Sequence, residues 1–429
     1  MQKELFILKA ACLFHDPPTK AWDLAKRRSH EERAGEIAKN ILERSILGDA
    51  KNRLKDVKWA DHLAADVDRW LLSKLVGEDY GRFRCKEVKI KNIFNPEFEC
   101  KIWEFHDKQL GGFIKKLNNI LRYVQDVNLA YHILYACYEA CWINDGLPAG
   151  PADTRAPSHN VFDHNYATAS IMNWLMEGKE PKGILLYIDL GGPQRFISSS
   201  RKLIDLWISS YFASVLAWKL FWIFIRSLGP DVMILPTCRG NPFYYHSLIS
   251  ELQSAKVNEN VIDEIKKLTK EVIGYDPDEY PMPRYAVVPV TATFVLPDIN
   301  VLREFDTFRS IKNLDDIGEF VEEKYREIWK EIYSRVIKEC RNLKDNLGKF
   351  GVEAATLLEK CRDYGFDKTP PLPIRVLSIH ISELYNIDFP RDEEGWYKLY
   401  HYMFKLLACR ESEKRFTNLD LRKSLSYMI

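Results

Sequence analysis

The sequence predicts an α+β protein of more than one domain. An all-α unit covers residues 1–178, a mixed unit with a small sheet covers 179–300, and a mainly helical unit over 301–429 partly completes that sheet. Three observations predict this. The chain has 429 residues, more than one compact domain of about 150 residues holds. Up to Met176 the apolar residues recur at helical spacing between proline and glycine breaks. After Gly178 to Lys182 the pattern changes to short β-rich runs that alternate with helices.

The elements follow in order. Glu4 to Phe14 is an apolar helix that Pro17 and Pro18 stop. Ser29 and Glu32 form a capping-box pattern that starts a helix to about Arg44. Val57 to Leu75 reads as a third helix, and residues 85–105 as a short hairpin. Asn118 to Asn144 reads as a fourth helix, and Gly146 to Pro151 is a break. Ser158 is the expected cap of a helix to Met176. Gly183 to Leu190 is a β-rich apolar run. Gly191-Gly192-Pro193 then turns the chain into one long helix, about Gln194 to Arg226. A strand at Asp231 to Pro236, a helix near Ile262 to Ile273 and a strand at Tyr285 to Leu296 complete a split β-α-β pattern. Residues 315–345 and 393–411 are again helical.

Composition narrows the function classes. Hydrophobic residues make up 46% and charged residues 29%, which is core-forming and not disordered. Lys plus Arg number 62 against 61 for Asp plus Glu, so a whole-chain basic grip on nucleic acid is excluded and only a local patch remains. Lys26-Arg27-Arg28 and Lys115-Lys116 are such clusters, although a solvated helix face is the commoner explanation for such runs. The nine cysteines are irregularly spaced and form no Cys-x-x-Cys, which points to reduced thiols in a cytosolic protein. Glu4 and Lys9 break any leader-like apolar stretch at the start. Asp205, Lys219 and Arg226 divide the apolar run of Leu206 to Ile225, which reads as a buried helix and no membrane span. No Gly-x-Gly-x-x-Gly opens a helix, which disfavours a dinucleotide-binding enzyme.

The sharpest chemical feature is His15-Asp16 at a helix end. An imidazole and a carboxylate offer a nitrogen and a bridging oxygen to a divalent transition metal such as manganese or nickel. Lys20 follows, His30 opens the next helix, Asp61 lies on the third, and His164 follows the glycine-proline break. Three histidines and two aspartates have the makings of a site for one or two cations, and a pair of cations would clamp a phosphodiester. A lone histidine on a helix is usually a surface or satisfied core residue, and His30 and His164 taken singly read so. His62, His132 and His159 are poorer candidates, and Asp66 and Asp68 read as helix-face residues or partners of Arg69.

These residues lie in segments that resemble a known family. Leu13-Phe-His-Asp-Pro-Pro-Thr-Lys-Ala21, Ser29-His-Glu-Glu-Arg-Ala34, Ala60-Asp-His-Leu-Ala-Ala-Asp-Val-Asp-Arg69 and Ala152-Asp-Thr-Arg-Ala-Pro-Ser-His-Asn-Val-Phe-Asp-His164 occur in this order. Together they resemble the permuted HD nuclease domain of the large subunit of type III CRISPR effector complexes, of the Cmr type. Gly192 to Ser210, Leu235 to Pro242 and Pro283 to Pro289 are similar to that family's first palm domain, and Leu407 to Phe416 to the helix before its zinc module.

The resemblance implies a permuted HD domain, then a ferredoxin-like palm, then a helical domain. It implies that His15 and Asp16 bind metal and that His30, Asp61 and His164 complete the shell. Lys20 would steady a scissile phosphate. The implied reaction is metal-dependent hydrolysis of single-stranded DNA, within a ribonucleoprotein that holds guide RNA, target RNA and other subunits. Such large subunits continue into a cysteine cluster and a second palm with Gly-Gly-Asp-Asp; this sequence contains neither pattern. The implied reading is therefore an N-terminal half, with any second palm on a separate chain, or a degenerate paralogue. Cyclic oligoadenylate synthesis is not expected from this chain alone. Asp189 with Gly191 and Gly192 is either a structural turn or part of a composite ATP and magnesium site, in which Gln194, Arg201, Asp205 and Ser210 would be the supporting residues. A silent scaffold, suggested by Pro17-Pro18 after the His-Asp pair, and a stand-alone HD phosphohydrolase are the competing functions.

Overall fold

The computed structural model describes residues 1–65, 89–91, 97, 99–101, 107–153, 159–176, 178, 180–342 and 349–382. Asp66, Asp68, Arg69, Ser158 and the expected helix at 393–411, with the motif at Leu407 to Phe416, lie outside them.

The N-terminal half is helical. α1 is Gln2–Phe14, α2 Lys20–Ala25 and α3 His30–Leu42. Residues 58–65 are helical and form α4. β1 (Lys89–Lys91) and β2 (Glu99–Lys101) pair antiparallel as the expected hairpin. The helix expected from Asn118 to Asn144 is instead two, α5 (Asp107–Leu121) and α6 (Val127–Asn144). Asp126 ends the continuity: its side chain accepts the Leu129 N–H at 2.8 Å and caps α6. α7 is Val161–Met172, and Asn160 caps it in place of Ser158 through a capping box with Asp163.

The second half is built on one four-stranded sheet. β3 is Gly183–Leu190, α8 Pro193–Ser198, α9 Leu203–Leu228 and β4 Met233–Leu235. The single helix expected from Gln194 to Arg226 is thus α8 and α9, separated at Ser199–Lys202. α10 (Pro242–Ser254), which the sequence reading passed over, and α11 (Glu259–Leu268) precede β5 (Thr291–Pro297). The strands at Asp231 to Pro236 and Tyr285 to Leu296 are therefore shorter or shifted. α12 (Ile299–Leu302), α13 (Asp315–Asn342), α14 (Lys349–Asp363) and β6 (Ile374–His380) follow.

The sheet order is β4-β5-β3-β6, with every neighbouring pair antiparallel. β3 is central and nearly all buried, which is why it reads as an unbroken apolar run. α9 covers the sheet: Phe221 and Phe224 pack on Phe294 of β5, with ring centroids 5.7 and 5.2 Å apart. Among the described residues α9 alone is long and apolar enough to cross a membrane. Half of its most apolar stretch is buried inside the protein, while Leu203 (83% exposed) and Trp207 (48%) stand out at its start.

One hydrophobic core runs from Leu5 in α1 to Val376 in β6, so the helical part and the sheet are packed as one body. α1 is buried nearly all round, including Lys9. The Lys9 ammonium is 2.9 Å from Asp231 Oδ2 and donates to the Leu228 carbonyl at 2.6 Å. Asn173 donates to the same Asp231 oxygen at 2.9 Å, and Ser170 to the Asp231 carbonyl at 2.7 Å. Gly229, with φ +102°, makes the turn into this cluster, where a side chain would meet the Tyr131 ring. Cys12, Cys137, Cys141, Cys238, Cys340 and Cys361 are free thiols.

Candidate metal centre

α1 ends at Phe14, and the following prolines hold His15 and Asp16 at the helix end. His15 Nδ1 lies 2.6 Å from the Cys12 carbonyl oxygen, so Nδ1–H donates and, in the neutral ring, Nε2 is the bare nitrogen. That Nε2 is buried without a hydrogen-bond partner. It sits 3.8 Å from Asp16 Oδ2 and 3.7 Å from Asp61 Oδ1. α7 brings His164 to the same place, with Nε2 2.9 Å from Asp61 Oδ1 and 3.8 Å from Asp16 Oδ2. One ligand atom from each of His15, Asp61 and His164 falls within 4.8 Å of the others. Asp16 faces two ways: Oδ2 toward His15, His164 and the Lys20 ammonium, and Oδ1 toward His30 Nε2 at 3.9 Å. His30 is the first residue of α3, whose start Ser29 caps by accepting the Glu32 N–H at 3.2 Å.

The electrostatics suit a cation. Burial disfavours charge on His15, but Asp16 and Asp61 outweigh it and raise its pKa above the ordinary value. A positive charge is therefore favoured at that nitrogen. Burial opposes ionisation of Asp16, yet the Lys20 ammonium and the two histidines hold its carboxyl below the usual range. Burial also opposes ionisation of Asp61, and the His15 and His164 imidazoles hold it well below. Burial and the neighbouring His15 lower the pKa of His164, which keeps it neutral, as a metal ligand must be. The unpaired His15 nitrogen, between two ionised carboxylates and beside a neutral imidazole, is a donor set that fits a divalent transition cation.

The structure brings together all six residues picked from the sequence for this site: His15, Asp16, Lys20, His30, Asp61 and His164. It adds Asn165, fully buried behind them. Its amide donates to the Leu13 carbonyl at 3.0 Å and the Asp16 carbonyl at 2.8 Å, pinning the helix end to α7. Asn165→Leu is expected to cost about 2 kcal/mol of unfolding free energy, from two lost hydrogen bonds and two stranded carbonyls, read by urea denaturation. Thr168, one turn beyond His164, donates to the His164 carbonyl at 2.8 Å.

The residues picked for a nucleotide site sit elsewhere. Asp189, near the end of β3, pairs with Arg375 of β6. Gly191 donates its N–H to the Pro373 carbonyl at 2.7 Å, and Gly192 takes a left-handed φ of +70° before α8. Gln194, Arg201 and Asp205 are exposed and Ser210 is half-buried. His132 is buried in α6 against Tyr244, away from the six, and burial pushes its pKa down to about 3.

Comparison with known proteins places the chain. Residues 185–334 match the family described as CRISPR-associated protein Cmr2, N-terminal. The CRISPR system CMR subunit Cmr2 of Saccharolobus solfataricus is 33% identical over 433 residues, covering 95% of this chain. The chain is similar to Cmr2 over most of its own length, and its residues 185–334 carry the match to the N-terminal family. It spans 40% of the length of that relative. Cmr2 of Pyrococcus furiosus is 31% identical over 140 residues, 29% of this chain and 15% of the relative. Among solved structures, a chain of the type III-B Cmr-beta apo state superposes with a TM-score of 0.73 at 30% identity, covering 95% of this chain and 40% of that one. A chain of Cmr-beta bound to cognate target RNA gives 0.69 at 29% identity with the same coverage.

Proposed function

We propose that this chain is the nuclease-bearing N-terminal part of the large subunit of an RNA-guided type III-B antiviral complex. Its activity is metal-dependent hydrolysis of single-stranded DNA at His15, Asp16, His30, Asp61 and His164. The observation that carries the reading is the buried His15 Nε2, which has no hydrogen-bond partner and faces Asp16, Asp61 and His164. A bound manganese- or nickel-type cation would supply charge stabilisation at the phosphodiester and a more acidic water. The protein's own residues orient the site. Cys12 and Asn165 fix the His-Asp pair, Asp61 orients His164, and Asp16 spans the space between His15 and His30. Lys20, held on Asp16 here, is the nearby cation that would turn to a scissile phosphate.

Homology to Cmr2 supports placing the chain in the cytoplasm within a ribonucleoprotein, beside other subunits, guide RNA and target RNA. The sheet order β4-β5-β3-β6 is that of a split β-α-β unit and supports reading residues 179–300, with β6 added, as the first palm. That palm would pair with a second palm on another chain or on the rest of a longer subunit. Asp189 and the Gly191-Gly192 turn would face a shared ATP site there.

The test is cleavage of end-labelled single-stranded DNA with manganese or nickel, by the wild-type chain and by His15→Ala/Asp16→Ala. Cleavage is expected in the wild type and lost in the double variant. Equal cleavage by both would overturn the assignment, and a wild type that neither cleaves nor binds metal would make the chain a scaffold.

A further inference from the structure

We infer that Arg239 is the positioning residue that sets the His164 ring in the metal centre, reaching it through Asp163; this rests on the metal-centre reading above. Arg239 lies in the loop between β4 and α10, on the sheet side of the molecule. Its Nε and Nη2 donate to the two carboxylate oxygens of Glu139 on α6, and its Nη1 donates to Asp163 Oδ1. The guanidinium carbon sits 5.1 Å from the ring centroid of Tyr166. The Tyr166 hydroxyl in turn donates to the Tyr135 carbonyl of α6 at 2.9 Å.

Asp163 is the residue immediately before His164. Its other oxygen, Oδ2, accepts the Asn160 N–H at 3.0 Å, and its own N–H donates to Asn160 Oδ1 at 2.9 Å. Both Asp163 oxygens are therefore committed, one to the cap of α7 and one to Arg239. These two contacts brace the first turn of α7, and His164 lies in that turn. The loop that carries Arg239 is itself braced. The Arg239 N–H donates to Thr237 Oγ1 at 3.2 Å, Gly240 takes φ +68°, and Asn241 caps α10.

The planar guanidinium grips Glu139 with two N–H groups and still has a third for Asp163. Lysine keeps the charge and loses the fork. The simpler alternative is that Arg239 merely clamps α6 to α7, which would affect stability but not the ring of His164.

The test uses the full chain with ¹⁵N-labelled histidine, the His164 ring signals being assigned by their loss in His164→Gln. In metal-free protein, Arg239→Met is expected to move the His164 ring resonances and leave those of His380, on β6, in place. Manganese affinity, by calorimetry, is expected to fall about 10-fold, with Arg239→Lys falling between wild type and Arg239→Met. Unchanged His164 resonances and affinity in a folded Arg239→Met would overturn the inference. If Arg239→Met does not fold, Arg239→Lys decides on the same two readouts. A wild type that binds no manganese refutes the metal-centre reading alone, because the metal-free His164 resonances still decide the role of Arg239.

Discussion

Asp61→Asn is expected to remove metal-dependent cleavage almost entirely while leaving the fold intact. Asp61 is the only residue in hydrogen-bond contact with His164 Nε2 among the described contacts and lies 3.7 Å from the His15 nitrogen. Asparagine keeps the size and the hydrogen-bonding oxygen but removes the negative charge. The charge that a bound cation stabilises at a phosphodiester is worth several kcal/mol, so cleavage should fall about 10²- to 10³-fold. Manganese affinity should fall with it. Because the His15 and His164 imidazoles hold the Asp61 carboxyl well below its ordinary range, the metal-free variant should fold but melt at a lower temperature. Calorimetry with manganese, beside a cleavage time course, checks both. Cleavage within a factor of two of wild type would remove Asp61 from the site.

Lys9→Met is expected to be the most destabilising single change away from the metal centre. The Lys9–Asp231 pair is fully buried, and Lys9 also satisfies the Leu228 carbonyl at the end of α9. Methionine leaves the Asp231 carboxylate in the core without its cation. Breaking a buried pair from one side costs about 3–5 kcal/mol. The double variant Lys9→Met/Asp231→Asn removes the stranded charge, and Asn173 still has an oxygen to meet. It should therefore recover more than half of the loss. Urea denaturation of the three variants and the wild type gives the cycle. Equal losses in the single and double variants would show that the pair's charge is not what Lys9 contributes.

The residues of the candidate metal centre were legible because each of their signals is local. Two prolines stop α1 just after the His-Asp pair, a serine caps the helix that starts with His30, and a glycine-proline break precedes the helix of His164. The order of the motifs then joined pieces that no periodicity could join. Longer-range partners were not legible. Lys9 reads as a charge that interrupts an apolar stretch, and its counter-ion lies in a turn of the other half of the chain. Arg239 sits in a motif whose resemblance was visible, yet its two carboxylates lie on α6 and α7, which only the fold brings near. Helix breaks without glycine or proline were also lost. α5 ends at Leu121 and Asp126 caps α6, within an apolar pattern that continues on both sides. Ser199 to Lys202, with neither glycine nor proline, separate α8 from α9, which therefore read as one element. The start of α10, Asn241 before Pro242, is a cap-and-proline signal that was present and unused.

The most direct measurement is an anomalous diffraction map from crystals of this chain soaked in manganese. The metal-centre account predicts a peak about 2.1 Å from His15 Nε2 and His164 Nε2, with an Asp61 oxygen in the same shell and the peak lost in crystals of His15→Ala/Asp16→Ala. A manganese peak elsewhere, or none at this site in a chain that still cleaves DNA, would contradict it.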